Sequence, residues 1–312
     1  MRNNINNLVD KLTYINLPRS IIKITGKDAK LFLQGQVTCD LNAASPQTSL
    51  LGAHCNPQGR IVFLFRLIQC DEDYYLFLPT EILTIALHSL KKYAVFYKVQ
   101  LTPLDTVTTI GLWGEQANAF LSTSALSINT IATDAVIHCN KAIVVPLASS
   151  KLRYLVIGNP ANTLIQKITT MATLASLQQW QYLDILAGLP TIYPETTEKF
   201  LPHDINLHQI NGISFQKGCY TGQEIIARMH YKGKLKNHLY HAQLITTANL
   251  AAGTELYNSP SQDATWSATI VNIIQEKNNF YLALLTANTT LIEQNQLFAN
   301  KEKVRIHQVL NL

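Results

Sequence analysis

Gly26-Lys27-Asp28-Ala29-Lys30-Leu31-Phe32-Leu33 follows the apolar run 19–24, and the same order returns 88 residues later. There the run 108–113 precedes Gly114-Glu115-Gln116-Ala117-Asn118-Ala119-Phe120-Leu121. Both stretches read G-x-x-A-x-x-F-L. Alanine, phenylalanine and leucine fall at i, i+3 and i+4, one face of a helix set behind a strand and a glycine turn. Each copy continues with strand-like runs, 54–67 and 74–78 in the first, 135–146 and 153–157 in the second. Each then enters a helix: over 81–93, with Ile82, Leu83, Ala86, Leu87 and Leu90 as its apolar stripe, and over 161–177. The pattern predicts two α+β halves related by duplication.

The chain beyond Leu239 differs. Short apolar runs at 239–245, 265–274, 280–285 and 304–310 alternate with turn-rich pieces such as Tyr257-Asn258-Ser259-Pro260-Ser261, and no helical period is present. Short strands at that spacing predict a small antiparallel barrel or sandwich. The 312 residues suit two or three domains. The boundary before the β-rich tail falls at Lys232-Gly233-Lys234-Leu235-Lys236.

Composition narrows the class. An apolar fraction of 47% supplies a core, and only 14% of residues are charged, against roughly 25% in a typical soluble domain. The net charge of +5 is too small to announce a nucleic-acid binder unless it is concentrated locally. Five cysteines (Cys39, Cys55, Cys70, Cys139, Cys219) with no C-x-x-C pair suit reduced thiols rather than a disulfide framework. Residues 1–10 have neither the apolar core of a signal peptide nor the Arg/Ser richness of a transit peptide. The most apolar run, 61–68, is broken by Arg66 and is far shorter than the roughly 20 residues of a membrane span. A soluble, cytoplasmic chain without membrane contact is expected.

Chemistry concentrates in Lys217-Gly218-Cys219-Tyr220-Thr221-Gly222-Gln223-Glu224. Thr221 followed three residues later by Glu224 fits a capping box, which would place Cys219 two residues before a helix N-terminus. That terminus and Lys217 would favour a thiolate, while Glu224 opposes it. Gly218 and Gly222 admit a close backbone approach or a positive φ. The alternative is a small buried thiol that merely packs beside the helix. The basic run Arg228, His230, Lys232, Lys234, Lys236 and His238 reads either as a solvated helix end or as a cationic rim for an anionic ligand. Its sparse aromatics argue against direct RNA binding. No metal site is expected: His203 with His208, and His238 with His241, lack a completing Cys or carboxylate. Neither G-x-x-x-x-G-K-[ST] nor G-x-G-x-x-G occurs.

The octapeptide resembles the signature of the YgfZ family of folate-binding, iron-sulfur-enzyme maintenance proteins, relatives of the glycine cleavage system T-protein. Phe32-Leu33-Gln34-Gly35-Gln36-Val37-Thr38-Cys39-Asp40 is similar to the family's N-terminal motif, Ala187-Gly188-Leu189-Pro190 to its central one, and the stretch 201–207 to the approach to the cysteine loop. The resemblance implies a GcvT/YgfZ-like ring of three domains: two ferredoxin-like α+β halves and a C-terminal antiparallel β-barrel around a central folate cavity. Expected boundaries are 1–104, completed by 183–236, then 105–182 and 237–312. It also implies tetrahydrofolate or a derivative as ligand, iron-sulfur client enzymes or assembly factors as partners, tRNA-modifying enzymes among those clients, and a monomeric chain. On this reading Cys219 and Lys217 are the catalytic pair, and Gly218, Tyr220, Gly222, Gln223, Glu224 and Arg228 bind the cofactor.

Two departures from the T-protein pattern bear on mechanism. Where T-proteins carry aspartates after a Gly-rich hairpin, this chain has Phe63 and Leu64, which cannot accept a proton. Where they carry an acidic residue before the central Ala-Gly, it has Leu186. Aminomethyl transfer is therefore not expected, and an accessory role is expected in preference to the alternative, a folate-dependent one-carbon transferase using Cys219 as nucleophile.

Overall fold

The computed structural model describes residues 11–104, 106–123, 132–139, 141–147, 152–233, 235–261, 263–288, 296–299 and 301–311. Residues 1–10 and Lys234, both used above, lie outside them.

The repeat is realised in matching detail. Strands Arg19–Thr25 and Thr108–Trp113 end at Gly26 and Gly114, whose φ values are +112° and +111°. The carbonyl of each glycine accepts a hydrogen bond from the alanine three residues on, at 3.0 and 2.9 Å. Helices Ala29–Gln34 and Gln116–Ser122 then bury Ala29, Phe32 and Leu33, and Ala117, Phe120 and Leu121, in the two cores. A side chain at Gly26 would meet the Lys98 carbonyl at 2.2 Å, so both the turn and the space demand glycine.

Around the first copy an antiparallel sheet runs in the order Leu50–Cys55, Ile61–Cys70, Asp73–Pro79, Arg19–Thr25, Gln100–Leu104, with helix Leu83–Ala94 packed on it. The run expected at 54–67 is thus a hairpin turned by Gly59 at φ +76°. The second sheet is ordered Thr173–Leu174, Thr13–Asn16, Thr108–Trp113, Arg153–Gly158, Ala142–Pro146, Ile137–Cys139. Strand Thr13–Asn16 therefore belongs to the second half, although the boundary at 104 assigned it to the first. The helix expected over 161–177 is shorter, Thr163–Met171, because Ala172 turns extended and the chain pairs briefly with Thr13 and Tyr14 before a further helix, Leu177–Leu186.

The sheets meet through Ile21, Ile68 and Phe77 on one side and Val136, Val145 and Ile157 on the other. Segment 198–221 lies on the first half: Glu198 donates its N–H to Ile61 at 2.7 Å, Ser214 to Thr38 at 2.9 Å and Thr221 to Gly35 at 3.1 Å. The tail forms a closed antiparallel barrel from Asn237–Ile245, Phe280–Asn288, Trp266–Lys277, Glu255–Tyr257, Gln296–Ala299 and Glu302–Asn311. Leu239, Val271, Leu282 and Leu284 of the barrel share a core with Ala53 and Ile61 of the first half and with Ile185, Phe200, Ile205 and Tyr220, so the barrel closes on the first half and the segment that completes it. No described helix is long and apolar enough to cross a membrane.

Candidate functional site

The cysteine loop is tied to one short segment, Gly35 to Cys39. Thr38 receives the Ser214 N–H and donates its own hydroxyl to the Gly212 carbonyl at 2.6 Å. Lys217 Nζ donates to the carbonyls of Val37 at 2.6 Å and Cys39 at 2.8 Å. Thr221 gives its N–H to Gly35 and its hydroxyl to Gln36 Oε1 at 3.2 Å. Between these tethers Gly218 and Cys219 are exposed, and Tyr220 turns inward to the core shared with the barrel.

Several sequence expectations change here. The capping box does not form: helix Gln223–Lys232 is capped by Gly222 at φ +83°, because the Thr221 side chain is taken by Gln36. The helix thus begins four residues after Cys219, beyond the range in which a helix terminus acts strongly. The Lys217 ammonium is 5.0 Å over the Tyr220 ring and bound to carbonyls of the first half, not set out as a counter-ion for Cys219. The packing alternative for Cys219 also falls, since the thiol is exposed. Cys39, Cys55 and Cys139 are buried and Cys70 is intermediate, and none of the five is in a disulfide. Burial pushes the Cys39 thiol up to about 12 and raises Cys55 as well.

A cleft opens where the two halves meet the segment after helix Leu177–Leu186, with an empty volume of about 780 Å³ that includes its open mouth. Aromatic walls come from Phe65, Phe77 and Trp180, and polar groups from Arg19, Arg66, Thr109 and Asp184. Behind them Arg153 is almost wholly buried. Its Nη1 pairs with Asp184 Oδ1 at 2.6 Å, and its guanidinium lies 5.1 Å from the Trp180 ring. Arg153 Nε and Nη2 and the Thr109 hydroxyl are buried without a hydrogen-bond partner. Unpaired buried donors are costly, so such groups in a cleft point to a polar ligand or ordered water. Burial works against the charge of Arg19, as do Arg66 and Arg153, while Asp184 and Tyr193 favour it.

None of the cofactor residues expected from the octapeptide lines this cleft. Tyr220 is core, Gly222 caps a helix, and Gln223 and Glu224 form its first turn. Arg228 lines a second cleft with Lys232, Lys236, Arg60 and Lys199, between the helix and the barrel. Glu198, Asp204 and Glu255 share that cleft, so its charge is mixed. Leu186 is 38% exposed, whereas Asp184, two residues earlier, lines the cleft. Phe63 is buried in the first core and Leu64 lines the cleft wall, so this hairpin offers no carboxylate. Arg19, Arg153 and Asp184 were missed in the sequence because nothing local distinguishes them. Among the described residues no group of three or more His, Cys, Asp or Glu is placed to hold a metal.

Two α+β halves followed by a closed antiparallel barrel make up an aminomethyltransferase T-like fold. The glycine cleavage system aminomethyltransferase T from Bartonella henselae superposes with a TM-score of 0.72 at 14% identity, covering 98% of this chain and 88% of that one. No family profile matches the chain. Curated relatives do: the tRNA-modifying protein YgfZ of Yersinia pseudotuberculosis is 33% identical over 85% of this chain and 81% of its own length. That of Colwellia psychrerythraea is 36% identical over 70% and 67%, and that of Hamiltonella defensa 36% over 70% and 66%. The chain belongs to the YgfZ family.

Proposed function

We propose that this protein binds a reduced folate in the central cleft and, through the exposed Cys219, supports iron-sulfur enzymes, including enzymes that modify tRNA. The observation that carries the reading is the Arg153–Asp184 pair, with two guanidinium nitrogens and the Thr109 hydroxyl left unpartnered beside an aromatic-walled cleft. A pterin presents a flat ring with an amidine-like donor edge and a carbonyl acceptor. The residues fit it: Asp184, oriented by Arg153 behind it, accepts, Thr109 donates from the cleft wall, and Phe65, Phe77 and Trp180 cover the faces. The folate would supply one-carbon chemistry; this chain's residues bind and orient it and exclude water.

The T-type fold and the relatives named as tRNA-modifying proteins support this reading. Lacking a carboxylate at Phe63 and Leu64, the cleft has no proton acceptor on that wall for aminomethyl transfer, which favours the accessory role over the transferase. Arg228 belongs in this scheme to the second cleft, where it would meet an anionic group together with Lys232 and Lys236. The reading is tested in a strain lacking the protein, by mass spectrometry of its tRNA nucleosides. The wild-type chain restores the modified nucleosides that depend on iron-sulfur enzymes and Cys219→Ala does not; equal restoration by both would refute the thiol's role.

A further inference from the structure

The cysteine loop is held by three tethers, of which two are ordinary for a surface loop: backbone N–H bonds from Ser214 to Thr38 and from Thr221 to Gly35, backed by the hydroxyls of Thr38 and Thr221. The third is a lysine only 7% exposed whose ammonium makes no ion pair among the described residues and donates to two backbone carbonyls, Val37 and Cys39. It lies two residues before Cys219, as the Thr221 tether lies two residues after it. Gly218, between Lys217 and Cys219, has nothing within 4 Å of where a side chain would project, so nothing packs against this joint.

We propose that Lys217 is the positioning residue of Cys219: its ammonium pins the exposed bight 218–219 to the segment Val37–Cys39, and release of that ammonium to water frees the thiol to swing on Gly218. The inference rests on Cys219 being the functional thiol, but its test reads the loop itself.

The groups facing Lys217 are Cys39 and Asp40 from the first half and Tyr220 from its own loop. Burial lowers the Lys217 ammonium from 10.5 to about 8, with Cys39 and Asp40 acting in the other direction. The Cys39 thiol is pushed up to about 12 and the Tyr220 phenol also up, both by burial, so each stays neutral near pH 8. Asp40, held low by the Asn42 N–H, stays ionised. Between pH 7 and 9 Lys217 is thus the one of these groups that titrates. The sign follows from linkage: the docked loop disfavours the charged amine relative to the released loop, so docking strengthens as pH rises from about 8 toward 10.5. A neutral amine still carries two N–H donors for the two carbonyls.

Amide hydrogen exchange of Ser214 and Thr221, corrected for intrinsic rate, tests this in the full chain. Wild-type protection should rise about tenfold between pH 7 and pH 9. In Lys217→Met it should be lower at pH 9 and flat across that range, and in Lys217→Arg flat as well, since arginine keeps its charge. Should Lys217→Met not fold, Asp40→Asn provides the second arm, because losing that carboxylate shifts the rise to lower pH. Protection that is flat or falling in the wild type, or a Lys217→Met profile like the wild type's, overturns the proposal. A loop that responds as predicted while Cys219→Ala restores tRNA modification would instead refute the role of the thiol and leave the clamp intact.

Discussion

Cys219 is the exposed thiol among five, and burial rather than a neighbouring cation separates it from the rest. Iodoacetamide at neutral pH should label Cys219 first and Cys70 second, with Cys39, Cys55 and Cys139 labelled only on unfolding; peptide mass spectrometry gives the order. Faster labelling of a buried thiol would mean that the core opens more readily than its packing implies. The glycines beside it differ in kind. Gly222 has φ +83° and would place a side chain 2.6 Å from the Asn56 carbonyl, whereas Gly218 faces open space. Gly222→Ala should therefore cost about 2 kcal/mol or more, and Gly218→Ala less than about 0.5 kcal/mol, by urea denaturation. A bare glycine that the fold does not require, next to an exposed thiol, leaves room for another molecule to approach.

At the scale of elements, the strap Gly35–Cys39 is gripped from both sides: the cysteine loop bonds its outer edge, and His54, buried in the first core, holds the Gln36 carbonyl through Nδ1 at 2.8 Å and Ser89 through Nε2 at 2.9 Å. Burial lowers the His54 imidazole to about 4, and His203 likewise to about 4. Both are depressed relative to the unfolded 6.5, so the unfolded chain takes up more protons between those values, and stability should fall as pH drops from about 6.5 to about 4. His54→Gln should flatten part of that decline in a pH series of thermal unfolding; an unchanged slope would remove His54 as its source. The repeat was legible because a glycine turn and three apolar positions at helical spacing need no distant partner. Strand Thr13–Asn16 was not, since four residues carry too little pattern to say which sheet they join. The capping box failed for a related reason: Thr221 had a local partner in sequence and a better one, Gln36, in space.

For the whole molecule, the decisive groups are brought together only by folding. Arg19 comes from the first sheet, Arg153 from the second and Asp184 from the helix between the second half and the central segment, so no sequence window contains the cleft. Removing one partner of the Arg153–Asp184 pair leaves the other buried and uncompensated. Arg153→Met should cost about 3–5 kcal/mol, and Asp184→Asn, which strips the counter-charge but keeps an oxygen acceptor for Arg153, should cost less. Purified protein given lipoyl carrier and tetrahydrofolate should show no aminomethyl transfer from glycine, because the hairpin carrying Phe63 and Leu64 offers the cleft no carboxylate. Folate binding in the cleft between the two halves and the segment after helix Leu177–Leu186 is tested most directly by thermal unfolding under titration with tetrahydrofolate. The melting temperature of the wild-type protein should climb with ligand concentration as mass action requires, by about 2.7 kcal/mol of added stability at a hundredfold excess over Kd, and the climb should be lost in Asp184→Asn. No shift at millimolar ligand, or an undiminished shift in Asp184→Asn, would contradict the account.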